Sequence, residues 1–223
     1  MTKGGGIRAL FVDYGGVLTT SVTTSFAAFC LATGVRPETL KALLADAYAD
    51  GSSGLPSRPS LADLVVALET GAMSGEEFDR KLAPVLSEGL ETAIDHSGLT
   101  DRLFAELRPD EAMIDAVRAA HRAGAKTGLI SNTWGTQANS AAPDDLFDVR
   151  ILSGEVKLRK PQPEIYRLAA DRLGVEPGAS VFVDDLPANV EGARAIGMTG
   201  VLHRDASITI PRLEELFGLS LRS

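Results

Sequence analysis

The sequence is poor in several things that would settle its class at once. It has one cysteine, Cys30, inside the apolar stretch SFAAFCLATG, so no disulfide can form within the chain and the thiol reads as a packed core group. No run approaches the ~18 consecutive apolar residues of a membrane-spanning helix. The first residues, MTKGGGIRALF, carry no apolar segment of signal-peptide type. Basic clusters are scarce: KLRK at 157–160 stands alone against a net charge of −8, which argues against a nucleic-acid backbone as partner but leaves room for a small anionic ligand. The three histidines, His96, His121 and His203, are scattered without metal-ligand spacing, and no Ser-His-Asp set is visible. There is no internal repeat and no low-complexity tract. These absences lead us to expect a cytoplasmic enzyme acting on a small molecule, bound to neither nucleic acid nor membrane.

What the chain does contain is a run of short apolar segments. With 223 residues, 44% hydrophobic and 23% charged, it is long enough for one large domain or a domain with an insertion. IRALFVD (7–13), AKTGLIS (125–131), VRILS (149–153), SVFVD (180–184) and TGVLH (199–203) read as strands buried on both faces of a parallel sheet. Helical patterns at 109–124, 163–174 and 187–197 alternate with the later strands, and each stops at a glycine. Such a βαβ series predicts an open, doubly wound, Rossmann-like α/β sheet. The stretch 21–108 differs, with helices expected at 21–33, 37–49, 60–70, 75–87 and 98–107. SGEE at 74–77 is a capping box, and DGSSGLPSRPS (50–60) is a flexible link. The expected division is therefore a core of 1–20 plus 109–223 and a helical insertion of 21–108.

Ligands of open α/β sheets bind beyond the carboxyl ends of the strands. Those ends carry Asp13, Ser131 with Asn132, and Asp184 with Asp185, and Lys160 in KPQPEIY can lean over the same edge. Taken singly, each has an ordinary structural use as a helix cap, a turn residue or a solvated side chain. Together they form a consistent set. Three acids in one crevice repel one another unless a cation joins them, and an all-oxygen donor set suits Mg²⁺. If Asp13 attacks a phosphate ester, two like charges ~4 Å apart at an effective dielectric of ~20 cost about 4 kcal/mol. A shared Mg²⁺ and Lys160 remove that penalty, and the Ser131 hydroxyl with nearby backbone N–H groups can hold the phosphoryl oxygens.

These residues resemble the haloacid dehalogenase superfamily, and the likeness runs over nearly the whole chain. FVDYGGVLT resembles its first motif, LISN its second, KPQPEIY its third and VFVDDLPANVEGARAIGM its fourth. The helical stretch after the first motif resembles the family's small helical cap. LISNTW with VFVDDLPANVEGAR is similar to the N-terminal phosphatase-type domain of soluble epoxide hydrolases and their bacterial relatives. The resemblance implies that Asp13 is the nucleophile of an aspartyl-phosphate, that Ser131 binds the phosphoryl group and that Lys160 neutralises it. It further implies that Asp184 and Asp185, with Asp13 and the backbone carbonyl of Gly15, hold Mg²⁺. Gly15, Gly16, Asn132, Thr133 and Trp134 would then line the substrate site.

Gly15 departs from the pattern. The resembling phosphatases usually carry an aspartate there, the general acid that protonates the leaving oxygen. Such a group typically contributes ~10²–10⁴-fold, about 3–5 kcal/mol of barrier. Its loss implies a Mg²⁺-dependent phosphohydrolase that is slow or limited to esters with good leaving groups. Two alternatives are a domain that binds a phosphate ligand or a partner without turnover, and a 2-haloacid dehalogenase, whose halide leaves unprotonated and which uses no metal. A glycine at this turn is also expected to take a positive φ.

Overall fold

A computed structural model describes residues 6–41, 61–134 and 143–221. The link at 50–60 and most of the helix expected at 37–49 lie outside these; residues 37–41 are helical. Five strands, β1 (Ala9–Val12), β2 (Lys126–Ser131), β3 (Val149–Leu152), β4 (Ser180–Asp184) and β5 (Thr199–Leu202), form one parallel sheet in the order β3-β2-β1-β4-β5. All five are the apolar runs expected to be strands, and the sheet is the Rossmann-like one that the alternation predicts.

Residue alternation along the central strands divides the core into two layers. Leu10 and Val12 of β1 and Val181 and Val183 of β4 face one way. They pack on Met113, Ile114 and Val117 of α5 (Glu111–Arg122) and on Ile210 and Leu213 of α9 (Ala206–Phe217). Phe11 and Phe182 face the other way, against Ile165, Tyr166 and Ala169 of α7 (Pro163–Leu173). A third helix, α8 (Pro187–Ala195), adds Ala193 to that second layer. Every strand residue of β1 and β4 is buried, so both faces are closed to water.

The remaining helices carry their own apolar cluster. α1 (Val22–Thr33) supplies Phe26 and Phe29, and α2 (Leu61–Glu69) supplies Leu64, Val65 and Leu68. Phe78 and Leu82 come from α3 (Gly75–Leu86), and Leu99 and Leu103 from α4 (Leu99–Leu103). The Ser74 hydroxyl accepts from Glu77 N at 3.2 Å, the half of the capping box that starts α3. The helix expected at 98–107 stops at Leu103; beyond it Phe104 packs against Phe26 with ring centroids 5.3 Å apart, a tertiary contact no helical period announces. The chain leaves the sheet layer and returns to it side by side: Thr20 N donates to Arg108 O (2.8 Å) and Asp110 N to Leu18 O (2.9 Å). No helix among the described residues is long and apolar enough to cross a membrane. A short helix, α6 (Ser153–Val156), follows β3 directly, so Ser153 begins a helix where a strand end was expected.

Candidate active site

β1 sits between β2 and β4, and the strand order reverses at the β1–β4 edge. That reversal opens a crevice at the carboxyl ends of the two strands. Asp13 follows β1 directly, its N–H donating to Val183 O of β4 at 2.9 Å, and Asp184 ends β4. The two carboxylates therefore flank the crevice, with Ser131 at the end of β2 beside them.

Lys160 reaches between them. Its Nζ lies 2.7 Å from Asp13 Oδ1 and 2.7 Å from Asp184 Oδ2, and the residue is 1% exposed. A buried ammonium is tolerated only when paired and hydrogen-bonded. Here two carboxylates meet that need, and the two acids together raise the lysine's affinity for its proton despite burial. Its backbone is held as firmly: Lys160 N donates to Asn132 Oδ1 (2.9 Å), and Asn132 Nδ2 donates back to Lys160 O (3.1 Å). Asn132, expected to line the site, thus both lines the cavity and carries the lysine loop.

Asp184 is fully buried, and each of its oxygens accepts two hydrogen bonds. Leu186 N (2.9 Å) and Asn189 Nδ2 (3.0 Å) serve Oδ1; Lys160 Nζ and Asn189 Nδ2 (3.1 Å) serve Oδ2. Those four hydrogen bonds, from three donor atoms, match the acceptor capacity of a carboxylate. Asp185 has its own constraint. A Cβ on Gly16 would stand 2.4 Å from Asp185 Oδ2, and Gly16 has φ +74. Glycine is required at 16 because the Asp185 carboxylate occupies the space a side chain would need, and the left-handed backbone suits glycine. Gly15 has no positive φ, contrary to the expectation from its sequence; the turn's strain falls one residue later.

One carboxylate oxygen from each of Asp13, Asp184 and Asp185 lies within 4.8 Å of the other two. Burial, opposed by Lys160 and reinforced by Asp184 and Asp185, pushes the Asp13 carboxyl up to about 7. Burial and then Asp184 push Asp185 up to about 6. Without a cation the crevice holds protons that ordinary carboxylates release well below neutrality.

A cavity of about 160 Å³ opens onto this group, with Asp13, Gly15, Ser131, Lys160 and Asp185 on its wall. Trp134 also lines it, as expected. Thr133 and Gly16 do not. The Thr133 hydroxyl is engaged by Gly154 N (3.1 Å) and lies 3.3 Å from Ser153 Oγ, and Gly16 N donates to Thr19 Oγ1 (3.0 Å). Both support the site's loops instead. The histidines stay outside it: His203 Nδ1 pairs with Thr209 Oγ1 at 2.9 Å and His121 Nδ1 with Thr127 Oγ1 at 2.8 Å.

Two residues escaped the sequence reading. Glu69, at the end of α2 and fully buried, accepts from Trp134 Nε1 (2.9 Å), Asn132 Nδ2 (3.2 Å) and Arg159 Nε (2.6 Å). It ties the helical layer to both loops that bear site residues. The only local signal was an acid closing the apolar run LADLVVALE. Asn189 was visible in VDDLPANVEGA, five residues after Asp184, and it orients that carboxylate.

A family model for haloacid dehalogenase-like hydrolase matches residues 7–197. The chain belongs to that family. As such it is an enzyme of the hydrolase kind. It is 28% identical over 168 residues to bifunctional epoxide hydrolase 2 of Sus scrofa, covering 67% of this chain and 30% of that protein. It is 34% identical over 131 residues to phosphatase MT3486 of Mycobacterium tuberculosis, covering 56% of this chain and 59% of that protein. The chain thus spans under two thirds of the length of either relative. A solved haloacid dehalogenase family enzyme of Bacteroides thetaiotaomicron, a complex with magnesium and inorganic phosphate, shares the fold at TM-score 0.60 and 20% identity, over 89% of this chain and 95% of that one.

Proposed function

We propose that this haloacid dehalogenase-like hydrolase is a Mg²⁺-dependent phosphohydrolase that works through an aspartyl-phosphate at Asp13. The observation that carries the reading is the shared lysine: one buried Nζ within 2.7 Å of both Asp13 and Asp184, beside a third carboxylate. The residues fit a magnesium ion. The donors are all oxygen, they converge, and they hold protons in its absence. Asn189 Oδ1 is buried with no hydrogen-bond partner among the described residues, an acceptor suited to a hydrated ion. Asp13, Asp185 and the Gly15 carbonyl would hold the ion; Asp184, whose oxygens are already filled, would orient Lys160 and Asn189. When bound, Mg²⁺ supplies positive charge against the phosphoryl oxygens.

The chain's own residues do the rest. A carboxylate oxygen of Asp13 attacks phosphorus, and the P–O bond to the leaving group breaks with its electron pair going to the departing oxygen. Lys160 offsets the charge that gathers on the transferring group, and Ser131 donates to one of its oxygens. With glycine at 15 and no carboxylic acid but Asp13 and Asp185 among the described residues lining the cavity, the leaving oxygen departs as an anion and takes its proton from solvent. Water then adds to phosphorus, the bond to Asp13 breaks, and carboxylate and inorganic phosphate are restored, the water's proton passing to solvent. We also read 21–108 as a cap over a core of 1–20 and 109–223. The paired crossings at 18–20 and 108–110 and the cap's own apolar cluster support that division.

The test is hydrolysis of acetyl phosphate, whose leaving group needs no acid. Turnover with Mg²⁺ that vanishes with EDTA and in Asp13→Asn is expected. A folded wild-type protein inert with Mg²⁺ would leave a non-catalytic phosphate-binding domain as the reading. Halide release from a 2-haloacid unaffected by EDTA would instead make it a dehalogenase.

A further inference from the structure

The part of the cavity built by the helical layer is almost wholly apolar. Val22 and Phe26 come from α1, Phe104 and Leu107 from the segment after α4, and Trp134 from the loop after β2. The rings brace one another: Phe104 meets Phe26 at 5.3 Å and Trp134 at 5.7 Å, nearly edge to face in the second case. Trp134 has one polar atom, and its Nε1 is taken by Glu69, which does not line the cavity. The indole therefore offers carbon surface to whatever enters. Thr23 is the only polar side chain that α1 contributes, and its hydroxyl lies 2.7 Å from Ser21 Oγ.

Three constraints on the group attached to the phosphate follow. It carries no second charge, because Lys160 is the only cation among the described lining residues and is committed to Asp13 and Asp184. It carries few hydroxyls, because a hydroxyl moved from water against this wall finds no partner. A single ring fits the wall: about 160 Å³ is close to the ~150 Å³ apolar cavity known to accept a benzene ring. Sugar phosphates and nucleotides each fail at least one of these. Gly15 adds a fourth constraint, since the leaving oxygen must depart unprotonated. An alkoxide does this poorly, whereas a phenolate spreads its charge into the ring.

We propose, building on the phosphohydrolase reading above, that the substrate is a phosphomonoester of a small, uncharged, single-ring phenol. The ring sits against Trp134 and Phe26 with its phosphate over Asp13. Attack by Asp13 breaks the bond between phosphorus and the ring oxygen, the phenolate leaves with the electron pair, and solvent returns its proton.

Four esters assayed with the intact protein and Mg²⁺ separate the claims. Acetyl phosphate has a good leaving group and no ring, phenyl phosphate has both, cyclohexyl phosphate has a ring of similar bulk on a poor leaving group, and glycerol phosphate is polar. Phenyl and cyclohexyl phosphate are expected to share a low KM, about tenfold or more below that of glycerol phosphate. Phenyl phosphate should exceed cyclohexyl phosphate in kcat by at least ~10²-fold. Trp134→Ala should raise KM for phenyl phosphate about tenfold more than it raises KM for acetyl phosphate. Phe26→Leu, which keeps the helical layer packed, should give the same split in smaller degree. If acetyl phosphate is turned over but phenyl phosphate binds no better than glycerol phosphate, or if both variants affect acetyl and phenyl phosphate alike, the substrate class is wrong and the phosphohydrolase reading stands. If none of the four is hydrolysed, the phosphohydrolase reading falls and this inference falls with it.

Discussion

Restoring an acid at position 15 is the most direct way to ask what its absence does. Gly15 has an ordinary backbone conformation, so aspartate there is not strained by φ. Its Cβ would, however, lie 3.2 Å from Val22 Cγ2, the first residue of α1. Overpacking of this kind costs roughly 1–3 kcal/mol when the neighbour cannot move. The same contact also pushes the new carboxyl out of place, which forfeits part of the ~3–5 kcal/mol of barrier that a well-placed general acid removes. Gly15→Asp alone is therefore expected to show only part of the gain. Gly15→Asp with Val22→Ala opens the space, at a stability loss of about 1 kcal/mol for the missing methyls. The double variant should hydrolyse cyclohexyl phosphate ~10²-fold or more faster than wild type, with phenyl phosphate much less affected. The assay is a Mg²⁺-saturated series of esters graded by leaving-group pKa, in which the dependence on that pKa should flatten. A folded double variant that left cyclohexyl phosphate hydrolysis unchanged would refute the link between Gly15 and leaving-group preference.

Lys160→Met should cost about 3–5 kcal/mol by urea denaturation at neutral pH, because it strands two buried carboxylates. Part of that loss should return at pH 5, where Asp13 can take up a proton; a loss under about 1 kcal/mol would contradict the pairing. Gly16→Ala places a methyl 2.4 Å from Asp185 Oδ2 on a backbone with φ +74, so it should lose roughly 1–3 kcal/mol and demand more Mg²⁺ for activity, while Gly15→Ala should not raise that demand. The third prediction concerns pH. Asp13 and Asp185 lie at about 7 and about 6 in the folded protein against 3.8 when unperturbed, so the metal-free fold binds the extra protons and loses stability as pH rises from about 4 to 7. Mg²⁺ competes with those protons, so its stabilisation in thermal melts should be larger at pH 8 than at pH 5. Equal shifts at the two values would show that these carboxylates do not hold the ion.

The strands could be read before any coordinates because a parallel strand covered on both faces must be apolar at nearly every position, as ALFV and SVFVD are. Their ends then named Asp13, Ser131, Asp184 and Asp185, since a polar residue closing such a run has only the sheet's edge to face. Asn132 followed from the same logic, and Trp134 from the family resemblance. Thr133 did not: its neighbours in sequence face the cavity, but its hydroxyl is taken by α6, an element twenty residues on. Between the two glycines of the first turn, composition alone could not say which bears the left-handed backbone, because the deciding atom belongs to Asp185.

Local pattern determined the alternation of strands and helices, the helical character of 22–33, 61–69 and 75–86, and the acids at the strand ends, because each depends on residues within a few positions of one another. Only the tertiary structure decided that Lys160 is buried between two carboxylates, that Val22 crowds the place where an acid would stand, and that Glu69 joins partners 63 to 90 residues away. The reason is physical. A charge is stable inside a protein only through the particular groups that surround it, and those groups come from parts of the chain that meet only when it folds.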